Sequence, residues 1–249
     1  KQQWQGDGVE DIPVAPTTAG DPSALSPAQQ VFWTQHQSVG DTGLGNVQMA
    51  LRSDGPLDQD ALNYALQAVA ARHPALQTRF IETNGVVTAQ RDDTACIPFA
   101  RLDLQDEAMA EALTKAEAVQ PFDLSCAPLC RAQLLTLGPD STQLVLTAHH
   151  IICDGWSAGL LWADLATAYD QHCREGSATL EPLAATIHGL AHNPAHTPAP
   201  IAPSLPSNKT GDEATAPPAL ALPTDRPRGA QLHPQAGIYQ GQLPAPIWH

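Results

Sequence analysis

The chain has 249 residues, enough for one large domain or two small ones, and 43% of them are apolar, as in globular rather than disordered proteins. Its 26 acidic and 12 basic residues give a formal net charge of −14, which argues against nucleic acid or a membrane surface as a partner. No apolar run approaches the roughly 20 residues that span a bilayer, and no signal segment opens the chain, whose first residue, Lys1, suggests a piece of a longer protein.

A helix is the first element that the sequence predicts, because Ser26 is a suitable N-cap and Pro27 fits the first helical position. Alternating apolar residues then predict a strand over 46–52. The next helix has Asp58 as its cap and an apolar stripe along one side, and Pro74 stops it.

A hairpin follows, and its Asn84-Gly85 turn has the residues that a type I′ turn requires. The sequence then predicts a helix over 106–119 and a second hairpin with the strands LCRAQLLTL and TQLVLTAHH. The last helix, SAGLLWADLATAYDQHCRE, directs Leu161 and Leu165 inward and ends before Gly176.

Four segments are predicted: a leader or linker over 1–22, a folded lobe over 23–176, a proline-rich linker over 177–219 and a terminal segment over 220–249. Thirteen of the 23 prolines lie at position 182 or beyond, where no helix or strand period is sustained. The folded lobe mixes helices with hairpins, so we predict an α/β fold of the α+β kind, a two-layer sandwich with a mixed sheet covered by helices.

The five cysteines are odd in number and form no CxxC pair, so we predict reduced thiols and a cytoplasmic location. The alternative is a zinc site that combines Cys126 and Cys130 with nearby histidines. A proline lies between these two cysteines, however, and no second ligand pair follows at zinc-finger spacing. We therefore predict that the chain holds no metal ion.

Two adjacent histidines end the last predicted strand, in the stretch LVLTAHHIICDGWSAGLL over 144–161. Successive strand residues point to opposite faces, so His149 and His150 cannot both line one cleft if the strand runs to its end. We predict that one histidine takes part in the chemistry of the site and that the other has a structural role. The remaining histidines, including His36 and His73, are predicted to be hydrogen-bonded core residues or solvated side chains.

Asp154 and Gly155 follow the histidine pair in a tight loop. Asp154 either orients His150, as in a catalytic triad, or pairs with an arginine that holds the loop. Gly155 permits a positive φ or a close backbone approach, and Ser157 can cap the next helix. The N-terminus of that helix would direct backbone N–H groups towards negative charge that develops beside the histidine.

These residues resemble a known family. HHIICDGWS is similar to the HHxxxDG signature of the condensation domains of non-ribosomal peptide synthetases, which have a chloramphenicol acetyltransferase-like fold. Four further stretches resemble other landmarks of the family: LSPAQQVFW, ARHPALQTRF, QPFDLSCAPLCRAQLL and LALPTDRPRG. The resemblance covers about residues 22–176 and returns at 220–229.

The resemblance implies a peptide-bond-forming acyltransferase, in which two thioesters on the phosphopantetheine arms of carrier proteins meet in a tunnel between two lobes. It implies that His150 is catalytic, that His149 supports the loop, that Asp154 pairs with Arg72, and that Gly155 lies against the thioester. No cofactor would bind the chain directly. The implied partners are the donor and acceptor carrier proteins, neighbouring synthetase domains and a C-terminal lobe that this chain lacks, so we expect the chain to be inactive by itself.

Three features depart from the pattern of the family. In LSPAQQVFW, Val31 stands where the family usually has an arginine. In ARHPALQTRF, Gln77 stands where the family has the later of its arginines, although Arg79 lies two residues on. The aromatic segment expected after the last helix is not recognisable.

No G-x-S-x-G nucleophile motif is present, and Cys153, the thiol nearest to the histidines, is interpreted as a packing residue.

Two other functions stay open at this point. One is an ester-forming HHxxxDG acyltransferase that uses acyl-CoA or acyl-carrier donors, and the other is an inactive lobe that only docks carrier proteins. The Trp-Ser pair after Asp-Gly and the stretch LPTDRPR favour amide formation over ester formation. Heterocyclisation is disfavoured because those relatives have aspartates in place of the histidine pair, whereas epimerisation would keep the histidines.

Overall fold

The computed structural model describes residues 22–40, 42–138 and 141–183. The predicted linker beyond residue 183 and the terminal segment, with LALPTDRPRG, lie outside the described residues, as does the predicted leader except for its last residue. The elements in chain order are β1 (Ser23–Ala24), α1 (Pro27–Val39), β2 (Asn46–Asp54), α2 (Gln59–Arg72), β3 (Thr78–Thr83), β4 (Val86–Arg91), β5 (Phe99–Asp103), α3 (Glu107–Ala118), β6 (Cys130–Thr136), β7 (Ser141–His149) and α4 (Gly155–Glu175).

Side-chain caps fix where the first two long helices begin. At α1, Ser26 Oγ accepts the Gln29 N–H at 3.2 Å and Gln29 Oε1 accepts the Ser26 N–H at 2.9 Å, which is a capping box. At α2, Asp58 accepts the Ala61 N–H at 2.9 Å. These bonds satisfy amides that have no partner inside the helix, and they confirm both predicted helix starts.

Two sheets form. The smaller has the order β1-β4-β3 and is built on the predicted hairpin, in which Asn84 and Gly85 have φ values of 54° and 77°. The larger has the order β2-β7-β6-β5, with antiparallel pairing of β7 to both neighbours and parallel pairing of β5 to β6. The sequence did not predict β1 or β5, because both are short and neither shows a clear alternation of apolar and polar residues.

Helices lie on both faces of the larger sheet. On one face Leu144, Leu146 and Ala148 of β7 belong to the main core with α2 and α4. On the other face Val145 packs with Ala110 of α3. The structure thus confirms the predicted mixed sheet covered by helices and places α3 in an additional layer. Because β7 is central and covered on both sides, its position is fixed by packing along its whole length.

No helix in the part of the chain that the structure describes is long and apolar enough to cross a bilayer. The first residues of the predicted linker, 177–183, form neither helix nor strand. Ala178 N nevertheless donates to Tyr64 Oη at 3.2 Å, and Thr179 N donates to Gln171 Oε1 at 2.8 Å, so the chain stays attached to α2 and α4 after α4 ends.

Candidate active site

The two adjacent histidines lie at the end of β7 and have different surroundings. His149 is the last residue of the strand and is 5% exposed, whereas His150 lies in the turn that follows and is half-buried. His149 faces the same side of the sheet as Val145 and Thr147, as the alternation predicts. The structure therefore separates the pair into one enclosed imidazole and one that borders an opening.

His149 is held inside the protein. Its Nδ1 accepts the N–H of Ile151 at 3.1 Å, and its ring meets those of His36 and Phe122 edge-on at centroid distances of 6.0 and 6.4 Å. Burial, helped by repulsion from His36 and His150, lowers the pKa of His149 from 6.5 to about 4. This imidazole is neutral at neutral pH, and its hydrogen bond fixes the turn that carries His150.

His150 borders a cleft of about 300 Å³ whose walls are the first two turns of α1, the loop over 150–154 and Ser157. Its ring stacks on Phe32, with centroids 4.4 Å apart and the planes 19° from parallel. Its backbone N–H donates to Gly45 O at 2.6 Å, and its Nδ1 is buried without a hydrogen-bond partner among the described residues. The other ring nitrogen, Nε2, is therefore the one that a ligand could reach.

Asp154 is the N-cap of α4. Its carboxylate accepts the N–H of Ser157 at 2.7 Å and the hydroxyl of Ser157 at 2.6 Å. These hydrogen bonds hold the pKa of Asp154 below its usual value, with smaller contributions from Trp156 and His150. The prediction that Ser157 caps the helix is wrong, and the triad is not assembled here because the Asp154 carboxylate is bonded to Ser157 rather than to the imidazole.

Arg72 does not pair with Asp154, and that predicted pair is a second correction. Arg72 Nε lies 3.3 Å from Asp164 Oδ2 as an ion pair, without the geometry of a hydrogen bond. His73 Nε2 lies 2.6 Å from the same oxygen. Because these residues end α2 and Asp164 lies in the middle of α4, the group joins the two helices instead of holding the loop after β7.

Gly155 is the first residue of α4, and its φ is not positive. A Cβ atom at this position would meet nothing within 4 Å, so the space beside its backbone is open, which suits a bound group. The N-terminus of α4 was expected to direct its backbone N–H groups towards negative charge beside the histidine. Two of these groups, the amides of Trp156 and Ser157, are already hydrogen-bonded to Asp154.

The thiols near the site are buried and protonated. Burial, with help from the neighbouring Asp154, raises the pKa of Cys153 to about 11, and burial raises the pKa of Cys130 to about 12. All five cysteines of the chain are unpaired. Within residues 22–40, 42–138 and 141–183, no three His, Cys, Asp or Glu side chains are grouped so that they could hold a metal ion.

Three residues of the site were not predicted from the sequence. Phe32 and His36 lie on the face of α1 that carries the buried Gln29, at helical spacings of three and seven residues, and this spacing was the available signal. Gly45 precedes β2, which pairs with β7, but no local pattern marks it. His36 was expected to be an ordinary histidine, and it instead lines a small cavity together with His149.

The two motif positions that depart from the family lie away from the cleft. Gln77 is buried, donates to the carbonyls of Asp93 and Ala95 at 3.3 Å, and accepts a hydrogen bond from Arg91. Val31 is 63% exposed on α1. Neither residue lines the cleft beside His150, so neither departure changes the composition of its walls.

The sequence model of the family described as "Condensation domain" matches residues 21–185. A linear gramicidin synthase protein of Brevibacillus parabrevis is 32% identical over 247 residues, which cover 95% of this chain and 3% of that protein. Phosphinothricin tripeptide synthetase PhsB of Streptomyces viridochromogenes is 30% identical over 249 residues, which cover 94% of this chain and 21% of that protein. The chain spans a small part of each of these relatives.

Solved structures are similar as well. The starter condensation domain of rhizomide synthetase RzmA superposes with a TM-score of 0.60 and 27% identity, over 65% of this chain and 40% of that one. A chain from the complex of the X-domain and OxyB from teicoplanin biosynthesis gives a TM-score of 0.66 and 27% identity, over 74% of this chain and 40% of that one. This chain spans less than half the length of both.

Proposed function

Because this chain belongs to the condensation-domain family, we propose that it forms the N-terminal lobe of a non-ribosomal peptide synthetase condensation domain that makes amide bonds. The observation that carries the proposal is the imidazole of His150, which borders an open cleft while its neighbour His149 is enclosed. The donor would be an acyl or peptidyl thioester and the acceptor an aminoacyl thioester.

In the proposed reaction the acceptor amine attacks the donor carbonyl, the C–N bond forms, and the C–S bond breaks. The amine proton leaves by way of the imidazole and ends on the released thiolate, so the products are an amide and a free thiol. A free α-amine has a pKa near 8 and is mostly protonated at neutral pH. A base at His150 Nε2 would contribute roughly 10²- to 10⁴-fold to the rate.

The surrounding residues support this assignment. Phe32 fixes the plane of the His150 ring, and His149 fixes the turn below it. Cys153 is protonated and buried, so we propose no acyl-enzyme intermediate. We assign Asp154 a structural role as the helix cap, Arg72 a structural role between α2 and α4, and Gly155 the role of leaving open backbone beside the thioester.

The proposed partners are two carrier proteins, each with its substrate on a phosphopantetheine arm, together with neighbouring synthetase domains and the second lobe of the domain. The coverage of about 40% of the similar solved chains supports a second lobe that completes the cleft. The unpaired cysteines support a reducing compartment, and we propose the cytoplasm.

The test is reconstitution of the complete condensation domain that contains this chain, with a peptidyl carrier protein as donor and an aminoacyl carrier protein as acceptor. The proposal expects an amide product on the acceptor carrier. A parallel reaction offers a hydroxyacyl acceptor. Ester product without amide product would contradict the proposal and support the ester-forming alternative.

A docking lobe without catalysis is the second candidate. The observation that favours it is the similarity to a chain from the complex of an X-domain with OxyB, because that chain belongs to a complex between proteins. That chain has the higher TM-score of the two structures described above. Binding of carrier proteins without amide or ester product, measured in the same reconstitution, would support this candidate and contradict the first.

A further inference from the structure

Gly45 lies opposite the histidine pair because β2 and β7 run antiparallel with Asn46 paired to His149. The Gly45 carbonyl accepts the N–H of His150 at 2.6 Å. This bond extends the ladder by one residue beyond the end of β7, so the backbone of His150 is fixed although His150 lies in a turn. The first contact of Gly45 is therefore with the residue that borders the cleft.

The second contact of Gly45 is with the other histidine. A Cβ atom on Gly45 would lie 2.8 Å from Cε1 of His149 and closer still to its Nε2. Side-chain carbons do not approach other atoms so closely, and the φ of Gly45 is not positive. The glycine is therefore required by the close approach of the imidazole and not by its own backbone conformation.

The His149 ring has little freedom to yield to such an atom. Its Nδ1 accepts a hydrogen bond from the Ile151 N–H, and the rings of Phe122 and His36 contact the imidazole edge-on. An added methyl group would displace either this ring, and with it the turn at Ile151, or the Gly45–His150 hydrogen bond. Both displacements move the backbone that places the His150 ring on Phe32.

We propose that Gly45 is a positioning residue for His150, an inference that rests on the proposed function of His150. Its carbonyl holds the backbone of His150, and its missing side chain leaves room for the His149 ring beneath the turn. A displacement of about 1 Å at a reacting group can reduce a rate by about a hundredfold. Gly45→Ala is therefore expected to lower kcat for amide formation by ten- to a hundredfold, with a smaller change in KM for the acceptor carrier.

The experiment compares Gly45→Ala, His149→Ala and the double variant in the complete condensation domain, with Gly159→Ala as the matched control. Gly159 lies in α4, where a Cβ atom meets nothing within 4 Å, so alanine there should leave the rate unchanged. If the ring causes the clash, Gly45→Ala costs at most twofold in the His149→Ala background. An equal loss in both backgrounds would overturn the proposal.

A second readout does not depend on catalysis. The stacking of His150 on Phe32 should shift the imidazole proton resonances of His150 by the ring current of Phe32, measurable by NMR on the 249-residue chain. Gly45→Ala should abolish this shift, and Gly159→Ala should preserve it. A retained ring-current shift in Gly45→Ala would contradict the positioning role of Gly45. If the unmodified complete domain forms no amide while Gly45→Ala loses the shift, the proposed function alone is contradicted.

Discussion

The His150 imidazole stacks on the phenyl ring of Phe32 at a centroid distance of 4.4 Å, and this contact joins the turn after β7 to the first helix. The two residues are more than a hundred positions apart in the chain. The stack covers one face of the imidazole, and both residues line the cleft. An aromatic pair of this kind contributes about 0.5–1.5 kcal/mol beyond its buried area.

Phe32→Leu should lower the rate of amide formation about two- to tenfold, because the apolar volume is kept while the stacking energy of 0.5–1.5 kcal/mol is lost. Single-turnover kinetics of the complete domain measure the effect. Phe32→Tyr keeps the stack and should stay near the unmodified rate. Val31→Ala, at the exposed neighbouring position, is the control for α1. A Phe32→Leu rate equal to the unmodified rate would show that the stack does not hold the imidazole.

Asp154→Ala should reduce the free energy of unfolding of the chain by about 1 kcal/mol, because it removes the N-cap of α4. Urea unfolding at pH 7 measures this loss. Asp154→Asn keeps an acceptor for the Ser157 N–H and should lose much less. The pKa of Asp154 is lowered, so its contribution is present above about pH 4 and is lost as the pH falls through the lowered value.

His150→Ala should itself reduce the free energy of unfolding by about 0.5–1.5 kcal/mol, because it removes the stack on Phe32. Urea unfolding at pH 7 measures this loss, and an unchanged free energy of unfolding would show that the stack does not stabilise the chain.

His149 should make the chain less stable in acid. Its pKa is lowered to about 4 in the folded state, so the unfolded chain binds the proton more readily. Its stabilising effect is complete above pH 6.5 and is lost as the pH falls towards 4, by on the order of 3 kcal/mol. Denaturant unfolding at several pH values, with His149→Asn as the comparison, isolates this residue. Parallel pH curves for the two proteins would show that His149 does not titrate in this way.

Asp164→Ala should cost about 1–3 kcal/mol of unfolding free energy, because it leaves Arg72 and His73 without their shared partner between α2 and α4. The matched control is Asp170→Ala on the same helix, which breaks an exposed pair with Arg174 and should cost less than about 0.5 kcal/mol. Thermal and urea unfolding of both variants measure the difference. Equal losses would show that the Asp164 group contributes no more than a surface ion pair.

Local sequence signals predicted the parts of this site that depend on local geometry. The caps at Ser26 and Asp58 and the turn at Asn84 follow from hydrogen bonding within a few residues. The strand period placed His149 on the side of the sheet that Val145 and Thr147 face, because side chains alternate along any strand. These predictions are confirmed because no distant packing opposes them.

Contacts between distant segments were predicted less well. The sequence contains several carboxylates that Arg72 could reach, and only the packing of α2 on α4 selects Asp164 over Asp154. Phe32 and Gly45 meet the histidines through the arrangement of α1 and β2 around the end of β7. Neither a hydrophobic period nor a helix cap carries information about such neighbours, because they depend on the order of the strands and the placement of the helices.

In the proposed function, the imidazole of His150 carries out the proton transfer in amide formation. Single-turnover formation of amide between donor and acceptor carrier proteins, with the complete domain and its His150→Ala variant, tests it most directly. We predict a loss of at least about a hundredfold in His150→Ala, in a variant that stays folded although it loses the stack on Phe32. Amide formation at the unmodified rate by a folded His150→Ala variant would contradict the claim.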